Sequence, residues 1–313
     1  MPASPIAARN RHRGHPAVIP QPLFSGDLPG LMLEDHPRVS TDIAEKVLNQ
    51  SPGSSWWIPA TSEFILVTPW RHRSELVSIH TLGAFANEHV LMAAAMDHAR
   101  LSGKAGFVVV DLNELRQPVF YQRHGLVETE KIITFEHRQP ALAIAGQPKA
   151  DLEFRRVTAA NGDLYEQVIA LDHSAFPWFW WNSRTEFETY LAQRGVEIWV
   201  GICDDAVVTY AGITLYHRWG HLDRIATTPD LQGQGIGRDM LTFALARVVQ
   251  LGGRRVALST QGSNFRSRSL YEHIGFRHTP IDDYVVYTAE FALPPGDAPE
   301  ATSLVAQTSQ DDS

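Results

Sequence analysis

Residues 232 to 238 read Gln232-Gly-Gln-Gly-Ile-Gly-Arg238, and directly after them Met240, Leu241, Ala244, Leu245, Val248 and Val249 recur at helical spacing. A helix N-terminus presents unpaired backbone N–H groups and the positive end of a dipole. Glycines there remove the Cβ atoms that would hold a phosphate away. Gln232, Gly233, Gln234, Gly235, Ile236 and Gly237 thus form a candidate anion cradle, to which Arg238 adds charge unless it is only solvated. A dinucleotide fingerprint is excluded, because a third glycine at the required spacing is missing and no acidic residue ends a following strand about 20 residues on. A Walker lysine is absent too.

Just upstream, His221 and Asp223 stand two apart in an extended run, so a strand places both on one face, which should also carry Ile225. Histidine suits removal of a proton from an ammonium, and a neighbouring carboxylate can orient its ring. The alternative is a surface histidine at a strand end. Farther upstream, Phe176-Pro-Trp-Phe-Trp-Trp181 places three of the chain's 8 Trp within four positions. Phe176, Trp178, Trp180 and Trp181 read either as a wall for an apolar or cationic acceptor or as packing between helices and against the first half.

The elements that must position these groups follow from periodicity. In the second half, 151–157 reads as a strand, 164–175 and 185–192 as helices, and 197–203 with 207–216 as a hairpin turning at Asp204-Asp205. A strand over 221–227 leads into the glycine loop. The helix after it ends at Gly252-Gly253. A strand over 255–259, a helix capped by Asn264 and running through Ile274, and a strand over 284–291 complete the half. The order predicts a mixed α+β fold around one sheet.

The chain has 313 residues, 44% hydrophobic and 20% charged, enough to bury a core in one large domain or two ordinary ones. Its net charge of −8 has the wrong sign for a general nucleic-acid binder. The single Cys203 cannot close an internal disulfide and supports no thiolate metal site, which fits a reducing cytoplasm. No stretch has the form of a signal peptide or reaches the ~18 apolar residues of a membrane span, so neither export nor a membrane is expected. Residues 1–22 and 294–313 read as disordered, and 139–150, with two Pro and one Gly, as a linker between near-equal halves.

The halves resemble each other. Phe120-Tyr121 with Gly125-Leu126 stands 150 residues before Leu270-Tyr271 with Gly275-Phe276, and each follows a helix-like segment ending in glycine. A tandem duplication is expected.

Strand, PDLQGQGIGRDML, helix, strand, then Asn264-Phe-Arg-Ser-Arg-Ser-Leu-Tyr-Glu-His-Ile-Gly-Phe276 resembles the GNAT superfamily of acyl-CoA N-acyltransferases. The resemblance implies acetyl-CoA as co-substrate, with its pyrophosphate on the amides of residues 232–238 and its pantetheine arm along the strand ending near Ala226 and Thr227. Asn264 matches a position that contacts the arm. Tyr271 matches the family's general acid, a packed aromatic being the other reading. His221 and Asp223 look similar to the paired histidines of serotonin N-acetyltransferase, with Asp in place of the second, and His221 also falls where histone acetyltransferases place a glutamate. In the first half 74–80 matches the strand before the loop, but the following Thr-Leu-Gly-Ala-Phe-Ala-Asn lacks the glycine pattern.

The expectation is therefore two tandem GNAT-like domains, each a mixed, mostly antiparallel sheet flanked by helices: a degenerate one over 23–138 and a catalytic one over 151–293, an architecture that resembles mycothiol synthase. The implied activity is acetyl transfer from acetyl-CoA to a primary amine, on a small molecule or a peptide, by direct attack in a ternary complex. A non-catalytic acyl-CoA sensor or interaction module is the alternative, and no metal is implied.

Overall fold

The computed structural model describes residues 18–31, 33, 39–112, 116–145, 150–158 and 161–291. The first half runs β1 (Gln21–Pro22), α1 (Thr41–Gln50), β2 (Trp56–Ile58), β3 (Glu63–Pro69), β4 (Leu76–Gly83), α2 (Glu88–Leu101), β5 (Gly106–Asp111), α3 (Pro118–Arg123) and β6 (Val127–His137). The second runs β7 (Glu153–Val157), α4 (Gly162–Ala175), α5 (Arg184–Leu191), β8 (Val196–Cys203), β9 (Ala206–Tyr216) and β10 (Trp219–Thr227), then α6 (Ile236–Gln250), β11 (Arg255–Gln261), α7 (Phe265–Ile274), β12 (Arg277–His278) and β13 (Tyr284–Glu290).

Most of these elements coincide with their sequence patterns. Asp204 and Asp205 both sit at positive φ, 50° and 63°, as a two-residue hairpin turn between twisted strands requires. Met240, Leu241, Ala244, Leu245 and Val248 form the buried stripe of α6. Asn264 caps α7 by accepting from the Ser267 N–H at 3.0 Å. Two expectations on the flanking segments need correction. Order begins before residue 23, because Gln21 and Pro22 pair with Trp57 and Trp56 at the sheet edge, where a proline without an N–H is tolerated. The 139–150 segment also carries a 3-10 helix over Pro140–Ala145, which packs on α6. Residues 1–17, 146–149 and the expected tail 294–313 lie outside the described residues.

All strands join one sheet in the order β1-β2-β3-β4-β5-β13-β6-β11-β10-β9-β8-β7, with β12 paired to β6. Each half contributes a mostly antiparallel set with one parallel pair, β4 with β5 and β10 with β11. The terminal strands are exchanged. β13, from the end of the chain, lies between β5 and β6, while β6, from the end of the first half, pairs with β11 from Val256↔His137 to Gln261↔Ile132. The cores follow the exchange: Tyr287, Ala289 and Phe291 fill the first half, and Ile133 and Phe135 pack with Met240, Leu245 and Tyr271 in the second.

The parallel pair β10–β11 holds only from Trp219↔Arg255 to Leu222↔Leu258. Beyond it a bulge between Leu222 and Arg224 bends β10, and the strands part. The resulting opening is where the candidate site lies. Among the described residues no helix is long and apolar enough to cross a membrane.

Candidate active site

The glycine loop opens α6 as its sequence demands. Gly233 and Gly235 take positive φ, 80° and 96°, with Gly235 as the left-handed N-cap. A Cβ on Gly233 would meet nothing within 4 Å, so the protein leaves the surface of the loop bare. Gln232 fixes its approach: its Nε2 donates to the Thr227 carbonyl at 3.1 Å and its Oε1 accepts from Arg266 Nη1 at 2.6 Å. Ile236 is buried and anchors the first turn. Gln234 points outward, donating to the Asp230 carbonyl. Gly237 packs close to Thr227, where a Cβ would stand 3.2 Å from Oγ1.

Gln232, Gly233, Gly235 and Gly237 border a cleft of about 950 Å³ that runs from Arg238 and Arg266 to Tyr271, while Gln234 and Ile236, expected in the cradle, do not line it. The Nε of Arg238 is buried without a hydrogen-bond partner. Past Leu222, β10 has no strand partner on its cleft-facing edge among the described residues, although the Ala226 and Thr227 carbonyls already accept from the Thr209 and Gln232 side chains. Thr209 steadies this stretch by donating to the Ala226 carbonyl at 2.6 Å. The cleft thus presents backbone donors and a dipole end for a phosphate, then a strand edge for a linear arm. Thr129 and Glu130 of β6 line it too, so the exchange brings first-half residues into it.

A second cavity, of about 1010 Å³, meets the first at Ile225, Asn264 and Tyr271. Tyr271 is buried, and burial, opposed by a hydrogen bond with Ser267, pushes its phenol up to about 12. It keeps its proton throughout the neutral range and can donate it. On the far wall His221 Nδ1 meets Asp223 Oδ1 at 2.8 Å. The other Asp223 oxygen accepts from Thr214 Oγ1 at 2.7 Å and from the Tyr190 hydroxyl. Burial and the Asp223 charge push the Tyr190 phenol up, so it stays a donor. With Nδ1 engaged, Nε2 is the nitrogen left for a ligand.

Ile225 corrects the alternation expected on this strand. It packs with Leu222 under α6 rather than sharing the face of His221 and Asp223, because the bulge inserts one residue and flips the parity beyond it. Arg224 is turned to the other side, donating to the fully buried Asp172, to the Tyr210 hydroxyl and to the Trp180 carbonyl. It ties the aromatic loop to β10.

That loop divides. Phe176 and Trp180 reach both cavities, whereas Trp178 and Trp181 border neither. Several ring faces are covered from within: Arg224 lies 3.7 Å from the centroid of Phe176, Arg73 4.1 Å from Trp178, and His173 stacks on Trp181 at 4.5 Å. The site residues that sequence reading missed are Arg266, Thr214 and Tyr190. Only Tyr190 left a signal, in Gly212, a strand glycine whose Cβ would stand 3.0 Å from the tyrosine ring.

Comparison with known proteins agrees with this geometry. Residues 165–276 match the acetyltransferase (GNAT) family. A mycothiol acetyltransferase from Beutenbergia cavernae is 38% identical over 68 residues, which span 22% of this chain and 22% of that protein's length. Among solved structures, a tandem GNAT protein from the clavulanic acid biosynthesis pathway superposes with a TM-score of 0.59 at 16% identity, covering 87% of this chain and 98% of that one. A GCN5-related N-acetyltransferase from Sphaerobacter thermophilus gives 0.55 at 14% identity, over 87% and 95%. At such identities the superpositions speak for the fold.

Proposed function

We infer, from the match of residues 165–276 to the acetyltransferase (GNAT) family, that the second half of the chain is a GNAT acyltransferase domain. From that premise we propose an N-acetyltransferase that moves an acetyl group from acetyl-CoA to a primary amine by direct attack in a ternary complex. The observation that carries the reading is the meeting of two cavities at Tyr271, one under the glycine loop and the other beside His221.

Acetyl-CoA enters with its pyrophosphate on the amides of residues 232–238, Arg238 and Arg266 adding charge, and its arm along Ala226 and Thr227 toward Asn264. The amine enters from the second cavity. His221, oriented by Asp223, accepts the proton of the incoming ammonium. The neutral nitrogen forms a bond to the acetyl carbonyl carbon, the carbon–sulfur bond breaks, and Tyr271 passes its proton to the departing thiolate. His221 releases the first proton to solvent and then takes the nitrogen's second proton, which also passes to solvent, while Tyr271 regains a proton from solvent, so that one proton is released per turnover. The division into a degenerate domain over 23–138 and a catalytic one over 151–293 belongs to the same proposal, amended by the strand exchange.

Calorimetric titration with acetyl-CoA followed by an amine panel read out as free-thiol release tests it. Saturable binding, amine-dependent turnover and a rise of turnover with pH that His221→Ala removes are expected. Absence of acetyl-CoA binding overturns the reading. Binding without turnover on any amine leaves a non-catalytic sensor.

A further inference from the structure

The wall of the second cavity is completed by the first half of the chain. Between β3 and β4 the backbone turns through Trp70, Arg71 and His72, and both Arg71 and His72 sit at φ 52°. Such left-handed geometry is uncommon for these side chains and persists where surroundings impose it. Second-half groups impose it here. Trp70 Nε1 donates to the Phe179 carbonyl at 3.0 Å, Ser183 Oγ to the Arg71 carbonyl at 2.9 Å, and Arg73 Nη1 to the Trp178 carbonyl at 2.6 Å. His72 Nδ1 meets Glu186 Oε2 at 2.6 Å.

Arg71 lines the cavity together with His221, Trp180 and Tyr284. Three other little-exposed arginines have a carboxylate, Arg73 with Glu75, Arg116 with Glu88 and Arg224 with Asp172, whereas Arg238 and Arg268 share with Arg71 a buried Nε that has no partner among the described residues. Arg71 has no carboxylate among the described residues. Its Nη1 donates to the neutral Asn182 side chain at 2.5 Å, and its Nε is sealed from solvent without a partner among the described residues. The rings of Trp70 and Trp180, edge-to-face with each other, both lie against the guanidinium, each centroid at 5.2 Å. Burial, then the charge of Arg224, pull its pKa down to about 10, against Glu186 and Asp172, which leaves it charged at neutral pH. A cation taken out of water without a counter-ion is unfavourable, and an arriving anion relieves it. The cavity also carries Arg138 and Arg255, which share Glu136, besides Asp223 and Asp282, and a neighbouring pocket that shares Arg138 and Arg255 adds Arg218 and Arg254.

We propose that the acceptor amine carries a carboxylate and that Arg71, delivered by the first half, is its anchor. The proposal rests on reading this cavity as the acceptor site. A planar guanidinium packed against the edge-to-face pair of Trp70 and Trp180 matches a planar carboxylate and fixes its orientation. The amine would then be presented to His221 at a distance set by the acceptor's own length. The first half thereby selects the substrate without binding the acyl donor.

Titration of the full chain with N-acetylglycine and with N-acetylglycinamide, followed by tryptophan fluorescence, needs no turnover. The acid should bind at least about tenfold more tightly than the amide. Arg71→Gln should erase that difference, Arg71→Lys should restore part of it, and all three proteins should bind acetyl-CoA alike. Equal affinity for acid and amide, no binding of either, or a preference that survives Arg71→Gln overturns the proposal. In the acetyl-CoA assay, amino acids should exceed their amides in kcat/KM through a lower KM, a gap closed in Arg71→Gln. A panel with no thiol release at all overturns the acyltransfer reading alone, and the fluorescence titration still decides Arg71.

Discussion

The N-termini of α2 and α6 occupy the same place in the two halves, each following the first strand of a parallel pair, yet they treat an anion in opposite ways. Before α6, glycines at positive φ turn the loop backbone toward the cleft. Before α2, the donors are already taken. Glu63 Oε1 accepts from the N–H groups of Phe85, Ala86 and Asn87 at 2.7, 2.7 and 3.2 Å, while Oε2 accepts from Thr61 Oγ1 at 2.8 Å and from the Asn87 side chain. Burial would push this carboxyl up, but the hydrogen bonds from Asn87, Ala86, Phe85 and Thr61 outweigh it and bring it down to about 2. An internal carboxylate thus fills the position that a phosphate takes at open helix N-termini. The tyrosines diverge likewise: Tyr271 faces the junction of two cavities, whereas Tyr121 is stacked on Tyr287 at 4.3 Å inside the core. Two helix N-termini in matching places of the fold thus differ in whether an internal carboxylate has already satisfied their donors.

The contrast between a donor half and a sealed half is tested first by separating them. Residues 139–313 produced alone should give no cooperative thermal transition, because β11 loses its neighbour β6 and the core loses Ile133 and Phe135. A sharp melting transition with acetyl-CoA binding retained would show that the exchanged strand is dispensable. Next in size, Gly235→Ala should weaken acetyl-CoA binding on the order of 100-fold, through left-handed strain of about 1–2 kcal/mol and a methyl group facing the phosphate path. Gly103→Ala, at φ 68° in the sealed half, should lower the melting temperature and leave calorimetric affinity unchanged.

The tyrosines give a matched pair. Tyr271→Phe should keep acetyl-CoA affinity and lower turnover by on the order of 10²-fold or more. Tyr121→Phe should leave turnover as it is, and an equal loss in both would reduce Tyr271 to a packing residue. The smallest effect belongs to Glu63→Gln, with about 1–3 kcal/mol of stability lost and acetyl-CoA affinity unchanged. Because the folded carboxyl lies below its ordinary value, its stabilisation is present above about pH 4.5 and fades as pH falls toward about 2. Denaturant melts of the two proteins should accordingly converge in acid. A constant gap down to pH 2 would mean that the carboxylate charge plays no part.

Much of this protein was legible in the sequence because it is local. The stripe of α6, the Asp204-Asp205 turn, the glycine loop and the Asn264 cap each depend on residues a few positions apart, where periodicity, φ preference and capping act directly. The side-by-side placing of His221 and Asp223 was also local, but the expected position of Ile225 was not, since the bulge depends on how β9 pairs with β10. The tertiary structure alone decided the rest. β6 and β13 carry similar extended patterns, and nothing within either says which sheet it will join; that choice rests on cores assembled from residues distant in the chain. Arg71 and Glu63 were equally silent, being ordinary charged residues in a first half that had lost its motif. One became a cation without a counter-ion and the other a substitute anion only when long-range packing set their surroundings, because the energetics of a charge is fixed by what it is buried against.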